Sequence, residues 1–298
     1  MTFEKIVKDI KNLKIQGATN VAKSAALAVK FLAREYKNKA KLDLINALTK
    51  AKNILFKARP TEPALRNTLN YLLYNIKLEE NPIDEIEQRV EEADEHFKKS
   101  QERIAVIGSK KIQSGMIVFT HCHSSTVVNI LKLAKQQGKN FSVHNTETRP
   151  LFQGRMTARE LSRAGIKVTH FIDSAARFAL KKADIMLIGA DAITTEGKII
   201  NKIGSEMFAE LAESYDIPVY SCTDSWKFDP ETIFGYEEEL ERRTGAEVWP
   251  SPPHNVKISN IAFEKVSPDI ITGIISELGI YKPTIFIEEV KRNYPWMF

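Results

Sequence analysis

Hydrophobic residues recur every three or four positions through the first hundred residues of the chain. The recurring positions include Ile6, Ile10, Leu13, Ala22, Ala25, Ala26, Val29, Leu42, Ile45 and Leu48. This period matches the 3.6-residue turn of an α-helix. Pro60 and Pro63 interrupt the pattern, and Asn81-Pro82 precedes a charged stretch whose length suits a connecting helix. The spacing predicts a helical N-terminal domain over residues 1–105.

After Gly115 the pattern changes to short β-branched runs that alternate with helical stretches. The predicted strands cover 116–120, 141–145, 167–172, 184–188 and 218–221, and the predicted helices lie near 125–137, 156–164, 174–182 and 204–214. Such alternation is typical of a parallel, doubly wound sheet. We therefore expect an α/β protein in which a Rossmann-like domain over 106–298 follows the helical domain. Ligands of such sheets bind beyond the carboxyl ends of the strands.

Length and composition agree with two ordered domains. The chain has 298 residues, of which 43% are apolar and 27% are charged, far from the composition of a disordered chain. No apolar run approaches the length of a membrane span. Two cysteines, Cys122 and Cys222, are too few for a disulfide framework, so we expect a cytoplasmic protein.

The net charge of +5 comes from 43 basic and 38 acidic residues spread along the chain. Without a basic block, this charge suits an anionic small molecule at least as well as nucleic acid. We expect neither a membrane partner nor direct binding of nucleic acid.

The first predicted strand runs into His121-Cys122-His123, and a helix follows at once, with Ser124 or Ser125 as its N-cap. Free N–H groups at a helix start favour anions, so this position can lower the pKa of a thiol or receive a phosphate. The alternative is a small buried residue that fills the end of a strand. Two histidines and a thiol in sequence cannot surround one tetrahedral ion, and no metal site is expected.

The fourth predicted strand ends at Gly189-Ala190-Asp191, which places a carboxylate at the same edge of the sheet. An aspartate in such a loop is otherwise a turn or cap residue. A thiol and a carboxylate that converge on a sugar would supply the two proton-transfer groups that aldose-ketose isomerisation requires. Cys122 and Asp191 are therefore the candidate catalytic pair.

Further polar positions follow the strands or begin helices. Asn201 and Lys202 precede Gly204-Ser205, where backbone N–H groups could cradle an oxyanion, or where a plain turn could leave the lysine in solvent. Gln153 is a candidate for recognising a hydroxyl group, and Asp173 is read as an N-cap. Two helix starts in the N-terminal half also offer N–H groups, Gln16-Gly17-Ala18-Thr19 and the segment after Arg59.

Five motifs together resemble one known family. They are His121-Cys122-His123-Ser124, Thr146-Glu147-Thr148-Arg149-Pro150, Gly189-Ala190-Asp191, Asn201-Lys202-Ile203-Gly204 and Lys227-Phe228. In this order they resemble the family shared by translation initiation factor 2B α/β/δ subunits, methylthioribose-1-phosphate isomerase and archaeal ribose-1,5-bisphosphate isomerase. The residues and spacing of the motifs are most similar to those of archaeal ribose-1,5-bisphosphate isomerase.

The resemblance implies a ribose-1,5-bisphosphate isomerase that serves nucleotide (AMP) salvage. Asp191 would assist ring opening, and Cys122 would carry a proton between C2 and C1. The implied substrate-binding positions are Gln16, Gly17, Ala18, Thr19, Arg59, Ser124, Ser125, Thr126, Gln153, Asn201, Lys202 and Lys227. The family also implies a homo-oligomer (a dimer, or a hexamer of dimer units), a nucleotide effector and no cofactor.

Three other functions stay open at this stage. The first is methylthioribose-1-phosphate isomerisation. The second is a non-catalytic regulatory subunit like those of initiation factor 2B, which Gln16 favours, because the isomerases usually have arginine there. The third is an assembly module without ligand chemistry. The pairing of Cys122 with Asp191 favours an enzyme.

Overall fold

The protein is described by a computed structural model that covers residues 2–15, 17–234 and 242–298. These residues form two compact units. The first comprises the residues up to Lys99 together with Trp226–Pro230 and Val290–Phe298, and the second comprises Ser100–Ser225 and Glu231–Glu289. Two later segments thus group with the helical residues, and the predicted boundary at residue 105 stays a prediction.

The helices of the first unit follow the predicted period. They are α1 (Phe3–Lys11), α2 (Ala18–Glu35), α3 (Lys41–Ala58), α4 (Pro63–Leu73) and α5 (Pro82–Ser109), the last of which continues into the second unit. Alanines on the buried face of α2 let neighbouring helices approach closely around a core that includes Ile10, Val29 and Leu48. Leu42 differs from expectation and is 69% exposed, because Leu44 and Leu48 form the buried face of α3.

Helix α4 is buried, and its polar side chains bind the Trp226–Pro230 segment within the same unit. Arg66 Nη2 lies 2.6 Å from Asp229 Oδ2, and Asn67 Nδ2 donates to the carbonyl oxygens of Trp226 and Phe228 at 2.8 and 2.7 Å. These bonds satisfy backbone groups that would otherwise be buried without partners. They explain why a segment distant in sequence belongs to the helical unit.

The second unit contains the sheets. The strands are β1 (Ile117–Thr120), β2 (Ser142–Thr146), β3 (Lys167–Phe171), β4 (Ile185–Ile188), β5 (Ala192–Ile193), β6 (Ile199–Lys202), β7 (Val219–Cys222), β8 (Phe263–Val266), β9 (Gly273–Ser276) and β10 (Gly279–Tyr281). The remaining helices are α6 (Ser125–Gln136), α7 (Gln153–Arg163), α8 (Ala176–Leu180), α9 (Ser205–Glu213) and α10 (Pro283–Asn293).

Among the described residues, seven strands form the main sheet in the order β10-β9-β7-β4-β1-β2-β3, and every pairing except that of β9 with β10 is parallel. The chain runs outward from β1 to β3, then returns to the other side of β1 at β4. The sheet is thus doubly wound, and its strand order reverses between β1 and β4. This confirms the predicted fold class.

The five predicted strands correspond to β1, β2, β3, β4 and β7. A small antiparallel sheet, β5-β6-β8, and strands β9 and β10 were not predicted, because short runs beside glycine and proline carry little periodic signal. Val118, Leu131 and Ile275 lie in the core of this unit. In the described ranges, no helix is both long and apolar enough to cross a membrane.

Candidate active site

The reversal of strand order brings the two candidate catalytic residues to the same edge of the main sheet. Strands β1 and β4 are parallel neighbours, with Val118 paired to Ile185 and Phe119 to Met186. Cys122 follows the end of β1 by two residues, and Asp191 follows the end of β4 by three. The crevice at such a reversal is where doubly wound sheets bind their ligands.

Cys122 is half-buried and has a left-handed backbone with φ of 66°, which is unusual for a residue other than glycine. Two threonine side chains hold its backbone. The Cys122 N–H donates to Thr148 Oγ1 at 3.0 Å, and the Thr157 hydroxyl donates to the Cys122 carbonyl at 2.9 Å. The cysteine is therefore kept in a conformation that costs free energy.

Burial raises the pKa of the Cys122 thiol to about 12. The N–H of His123 lowers this pKa, the carboxylate of Asp191 raises it, and the cation of Lys202 lowers it. Of the two alternatives that the sequence left open, burial dominates the thiol pKa, because loss of solvent outweighs the effect of the helix start. The resting group is the neutral thiol.

Asp191 is positioned by the small antiparallel sheet. Its N–H donates to the Ile200 carbonyl at 2.8 Å, and the pairing of Ala192 with Ile200 places Asp191 across from Asn201. A Cβ atom on Gly189 would lie 2.8 Å from the Ser124 hydroxyl, so the end of β4 touches the loop that carries Cys122. Only glycine permits this approach. From the same end of β4, the charge of Asp191 raises the pKa of the Cys122 thiol.

Lys202 ends β6, next to Asn201, and only 4% of it is exposed. Burial lowers the pKa of Lys202, whereas Cys122, Glu247 and Asp191 raise it. Arg243 binds Glu247 through two nitrogens at 2.8 to 3.0 Å. A buried ammonium thus lies close enough to the thiol and the carboxylate to change the proton affinity of the thiol.

The start of α9 differs from its predicted role as an anion cradle. The carboxylate of Glu264, on β8, accepts the Glu206 N–H at 2.8 Å and also accepts from the N–H groups of Gly204 and Ser205. Burial raises the pKa of Glu264, although these donors lower it. The protein's own carboxylate occupies this helix terminus, so an external oxyanion at Asn201 and Lys202 would meet their side chains instead.

The start of α6 keeps its predicted form. Ser124 is the N-cap and accepts the Val127 N–H at 3.4 Å. Ser125 and Thr126 follow in the first turn, where N–H groups have no acceptor within the helix. These two N–H groups lie three and four residues after Cys122 and suit a phosphate.

Gln153 begins α7, four residues before Thr157, so the two side chains share one face of the helix. Thr157 contacts the Cys122 carbonyl, which indicates that this face is turned toward the cysteine loop. Within the part of the chain that the structure describes, the buried Gln153 Oε1 has no hydrogen-bond partner. Its position is compatible with the predicted recognition of a hydroxyl group.

The two histidines beside the cysteine are bound within the protein. His121 Nε2 donates to the Ile203 carbonyl at 2.9 Å, and Thr146 Oγ1 donates to His121 Nδ1 at 2.6 Å. Burial lowers the pKa of His121 to about 4, so its ring is neutral at physiological pH. His123 Nδ1 lies 3.1 Å from Thr157 Oγ1. Both ring nitrogens of His121 are engaged, which agrees with a structural role.

The other predicted substrate-binding residues lie in the first unit. Gly17, Ala18 and Thr19 form the start of α2, where Gly17 has φ of 84°, and Gln16 lies outside the described residues. Arg59 follows α3 and forms an ion pair with Glu62 at 2.6 Å. Lys227 is half-buried in the segment bound by α4. The structure therefore brings Cys122, Ser124, Asp191, Asn201 and Lys202 together in one unit. The other unit holds Gly17, Ala18, Thr19, Arg59 and Lys227.

Sequence reasoning missed the residues that support the cysteine. Thr148 and Thr157 were not assigned a role, and Asp173 was read as a helix cap. The Asp173 carboxylate instead accepts the N–H groups of Thr148 and Arg149 at 2.8 and 2.7 Å. The Thr146-to-Pro150 motif was visible in the sequence, but its contact with Cys122 spans 26 residues and no local pattern reveals it.

Comparisons with known proteins agree with this architecture. A ribose 1,5-bisphosphate isomerase of Pyrococcus furiosus is 36% identical, with 98% of this chain and 94% of that protein covered. A methylthioribose-1-phosphate isomerase of Pelotomaculum thermopropionicum is 32% identical over 94% of this chain and 83% of that protein. The crystal structure of translation initiation factor eIF-2B from Pyrococcus horikoshii OT3 superposes with a TM-score of 0.83 at 29% identity, covering 96% of this chain and 98% of that one.

The model of the initiation factor 2 subunit family matches residues 14–283, which include both candidate catalytic residues. This match confirms the resemblance drawn from the five motifs. With strand order, structural similarity and sequence in agreement, the chain belongs to the initiation factor 2 subunit family.

Proposed function

We propose that this protein is an aldose-ketose isomerase that converts ribose 1,5-bisphosphate to ribulose 1,5-bisphosphate. The observation that carries the proposal is the convergence of Cys122, Asp191 and the buried Lys202 at the reversal of the sheet. Relatives named as this isomerase match nearly the full length of the chain at 36% identity. The proposal includes a cytoplasmic homo-oligomer that acts in AMP salvage and responds to a nucleotide.

The reaction moves two protons and breaks one bond. The proton on C2 moves to C1, the proton on the C2 hydroxyl moves to the ring oxygen, and the bond between C1 and the ring oxygen breaks. In the proposed cycle, Cys122 takes the proton from C2 and returns it to C1. Asp191 gives a proton to the ring oxygen and later takes one from the C2 hydroxyl. Each group ends as it began, as an acid-base catalyst must.

The pair must start this cycle as a thiolate and a carboxylic acid. In the free protein the shared proton lies on sulfur, because burial and the charge of Asp191 raise the pKa of the thiol to about 12. Transfer of that proton from Cys122 to Asp191 creates the active form without changing the number of bound protons. The Lys202 cation lowers the thiol pKa and so favours the transfer. We therefore expect kcat/KM to vary little with pH across the neutral range.

The two phosphate groups of the substrate need hydrogen-bond donors, either positively charged side chains or backbone N–H groups. Lys202 ends β6, which pairs with the strand directly after Asp191. The N–H groups of Ser125 and Thr126 begin α6, shortly after Cys122. Gln153 is the proposed partner of a substrate hydroxyl, since its Oε1 is buried and accepts no bond among the described residues. Gln16, Gly17, Ala18, Thr19, Arg59, Ser124, Asn201 and Lys227 remain proposed substrate-binding positions on the strength of the resemblance.

The test is to incubate the purified protein with ribose 1,5-bisphosphate and to follow the appearance of the ketose by NMR. Cys122→Ser and Asp191→Asn should each reduce turnover by at least about a hundredfold. Cys222→Ala is the matched control, because Cys222 lies fully buried in β7, outside the proposed chemistry. Unchanged turnover in both catalytic variants would exclude the proposed roles.

A second substrate deserves a parallel assay, because a relative named methylthioribose-1-phosphate isomerase is 32% identical. Ketose formed from methylthioribose 1-phosphate alone would reassign the substrate while keeping the reaction. No ketose from either compound, together with binding to a translation initiation factor, would favour a regulatory subunit.

A further inference from the structure

The backbone of Cys122 is held by side chains that no role in the proposed chemistry explains. Its N–H donates to the Thr148 hydroxyl at 3.0 Å, and its carbonyl accepts from the Thr157 hydroxyl at 2.9 Å. These are the two polar groups of the residue's main chain. A left-handed φ of 66° at a cysteine is maintained only where the surroundings compensate its cost.

Thr148 is itself held in place. Its N–H donates to Asp173 Oδ1 at 2.8 Å, and the next N–H, of Arg149, donates to Asp173 Oδ2 at 2.7 Å. Thr148 also has a left-handed backbone, with φ of 63°. It is fully buried, so its hydroxyl has no solvent to bond with if the Cys122 N–H moves away.

Thr157 is anchored from the opposite side. It lies on α7 and is 1% exposed, and its hydroxyl oxygen lies 3.1 Å from His123 Nδ1. Because the hydroxyl donates to the Cys122 carbonyl, it accepts from the imidazole N–H. The loop after β2 thus binds the backbone amide of Cys122, and helix α7 binds its carbonyl.

We propose that Thr148, fixed by Asp173, is a positioning residue that sets the location of the Cys122 sulfur, with Thr157 as the second point of attachment. The inference rests on the proposed function for its kinetic effect, but the geometry concerns the thiol alone. A displacement of the sulfur by about 1 Å costs roughly a hundredfold in rate when the reacting groups must be aligned.

The experiment compares Thr148→Val with Thr148→Ser. Valine keeps the branched shape and replaces the hydroxyl with a methyl group, whereas serine keeps the hydroxyl and lacks the methyl group. We expect Thr148→Val to lower kcat by about a hundredfold with KM within a factor of three, and Thr148→Ser to retain most of the wild-type kcat. Thr157→Val should act in the same direction. Thr169→Val, at an exposed position of β3, is the matched control and should have no effect.

A second readout does not depend on catalysis. The rate at which a small disulfide reagent labels Cys122, followed by mass spectrometry at one pH, should rise at least threefold in Thr148→Val, because a released loop exposes the half-buried sulfur. Cys222, which is fully buried, is the internal control for general unfolding and should stay unlabelled in every variant.

The outcomes separate the two proposals. If the wild type forms no ketose but Thr148→Val accelerates labelling, the positioning role stands and the proposed function fails. If the wild type is active and Thr148→Val leaves kcat and labelling unchanged, the positioning role is overturned. Equal losses in the valine and serine variants, or labelling of Cys222, would likewise overturn it, since the hydroxyl would then not be the cause.

Discussion

The reactivity of Cys122 offers a direct test of the electrostatics of the site. Burial and the charge of Asp191 raise the pKa of the thiol to about 12, from an ordinary value of 9.0. Only the thiolate attacks a disulfide reagent, so the rate of labelling reports the ionised fraction. The perturbations are a change of pH and the removal of each neighbouring charge.

The expected magnitude follows from the pKa. At pH 8 a thiol with a pKa of about 12 is ionised in about one molecule in ten thousand, whereas an ordinary thiol is ionised in about one in ten. A more basic thiolate is also more nucleophilic, which recovers a factor of roughly 20. Cys122 should therefore react at least about fortyfold more slowly than free cysteine at pH 8, before its restricted access is counted.

The pH dependence and the variants give the sharper result. The rate should rise about tenfold per pH unit between pH 7 and pH 10, with no plateau in that range. Asp191→Asn removes a charge that raises the pKa of the thiol and should accelerate labelling at fixed pH. Lys202→Met removes a charge that lowers this pKa and should slow labelling. Each unit of pKa change alters the ionised fraction tenfold.

The assay is labelling by a small neutral disulfide, quantified by mass spectrometry in a Cys222→Ala background so that a single thiol is measured. Free cysteine at each pH corrects for the reagent. A plateau below pH 9, or a slower reaction in Asp191→Asn than in the parent, would refute the account of the thiol and with it the resting state assumed for catalysis.

Three further predictions concern the supports of the site. Folding lowers the pKa of His121 to about 4, from 6.5. As the pH falls from 6.5 to 4, the unfolded chain binds this proton before the folded chain does, so the free energy of unfolding should drop by about 1.4 kcal/mol per pH unit. Denaturant titrations at several pH values should show that this free energy depends less on pH in His121→Gln. Gly189→Ala should destabilise the protein by about 1–3 kcal/mol through its clash with Ser124, and a second change, Ser124→Gly, should restore part of the melting temperature. Glu264→Ala should cost about 1–2 kcal/mol by exposing the N–H groups of α9, and inorganic phosphate should raise the melting temperature of this variant more than that of the wild type; an equal rise in both proteins would contradict the account of that helix start.

The sequence alone predicted the doubly wound architecture and five strands of the main sheet, because hydrophobic periodicity is a local property. It also indicated Cys122 and Asp191, since both follow apolar runs that end at glycine or at a run of polar residues. The observed order, with β1 beside β4, is that of a doubly wound sheet. The strands and helices themselves depend on residues close together in the chain, whereas the pairing of β1 with β4 joins segments 67 residues apart.

The tertiary structure alone decided the chemistry of the site. The sequence left open whether the helix start lowers the pKa of the Cys122 thiol or burial governs it, and the folded structure shows that burial raises it. The N–H groups at the start of α9 suit a phosphate by their position, but the carboxylate of Glu264, 58 residues beyond Glu206, accepts their hydrogen bonds. Asp173 resembled a cap, yet it binds the backbone of Thr148 across 25 residues. Solvation and hydrogen bonding between distant segments depend on the folded chain, and for that reason the sequence could indicate the candidate groups but not their protonation or their partners.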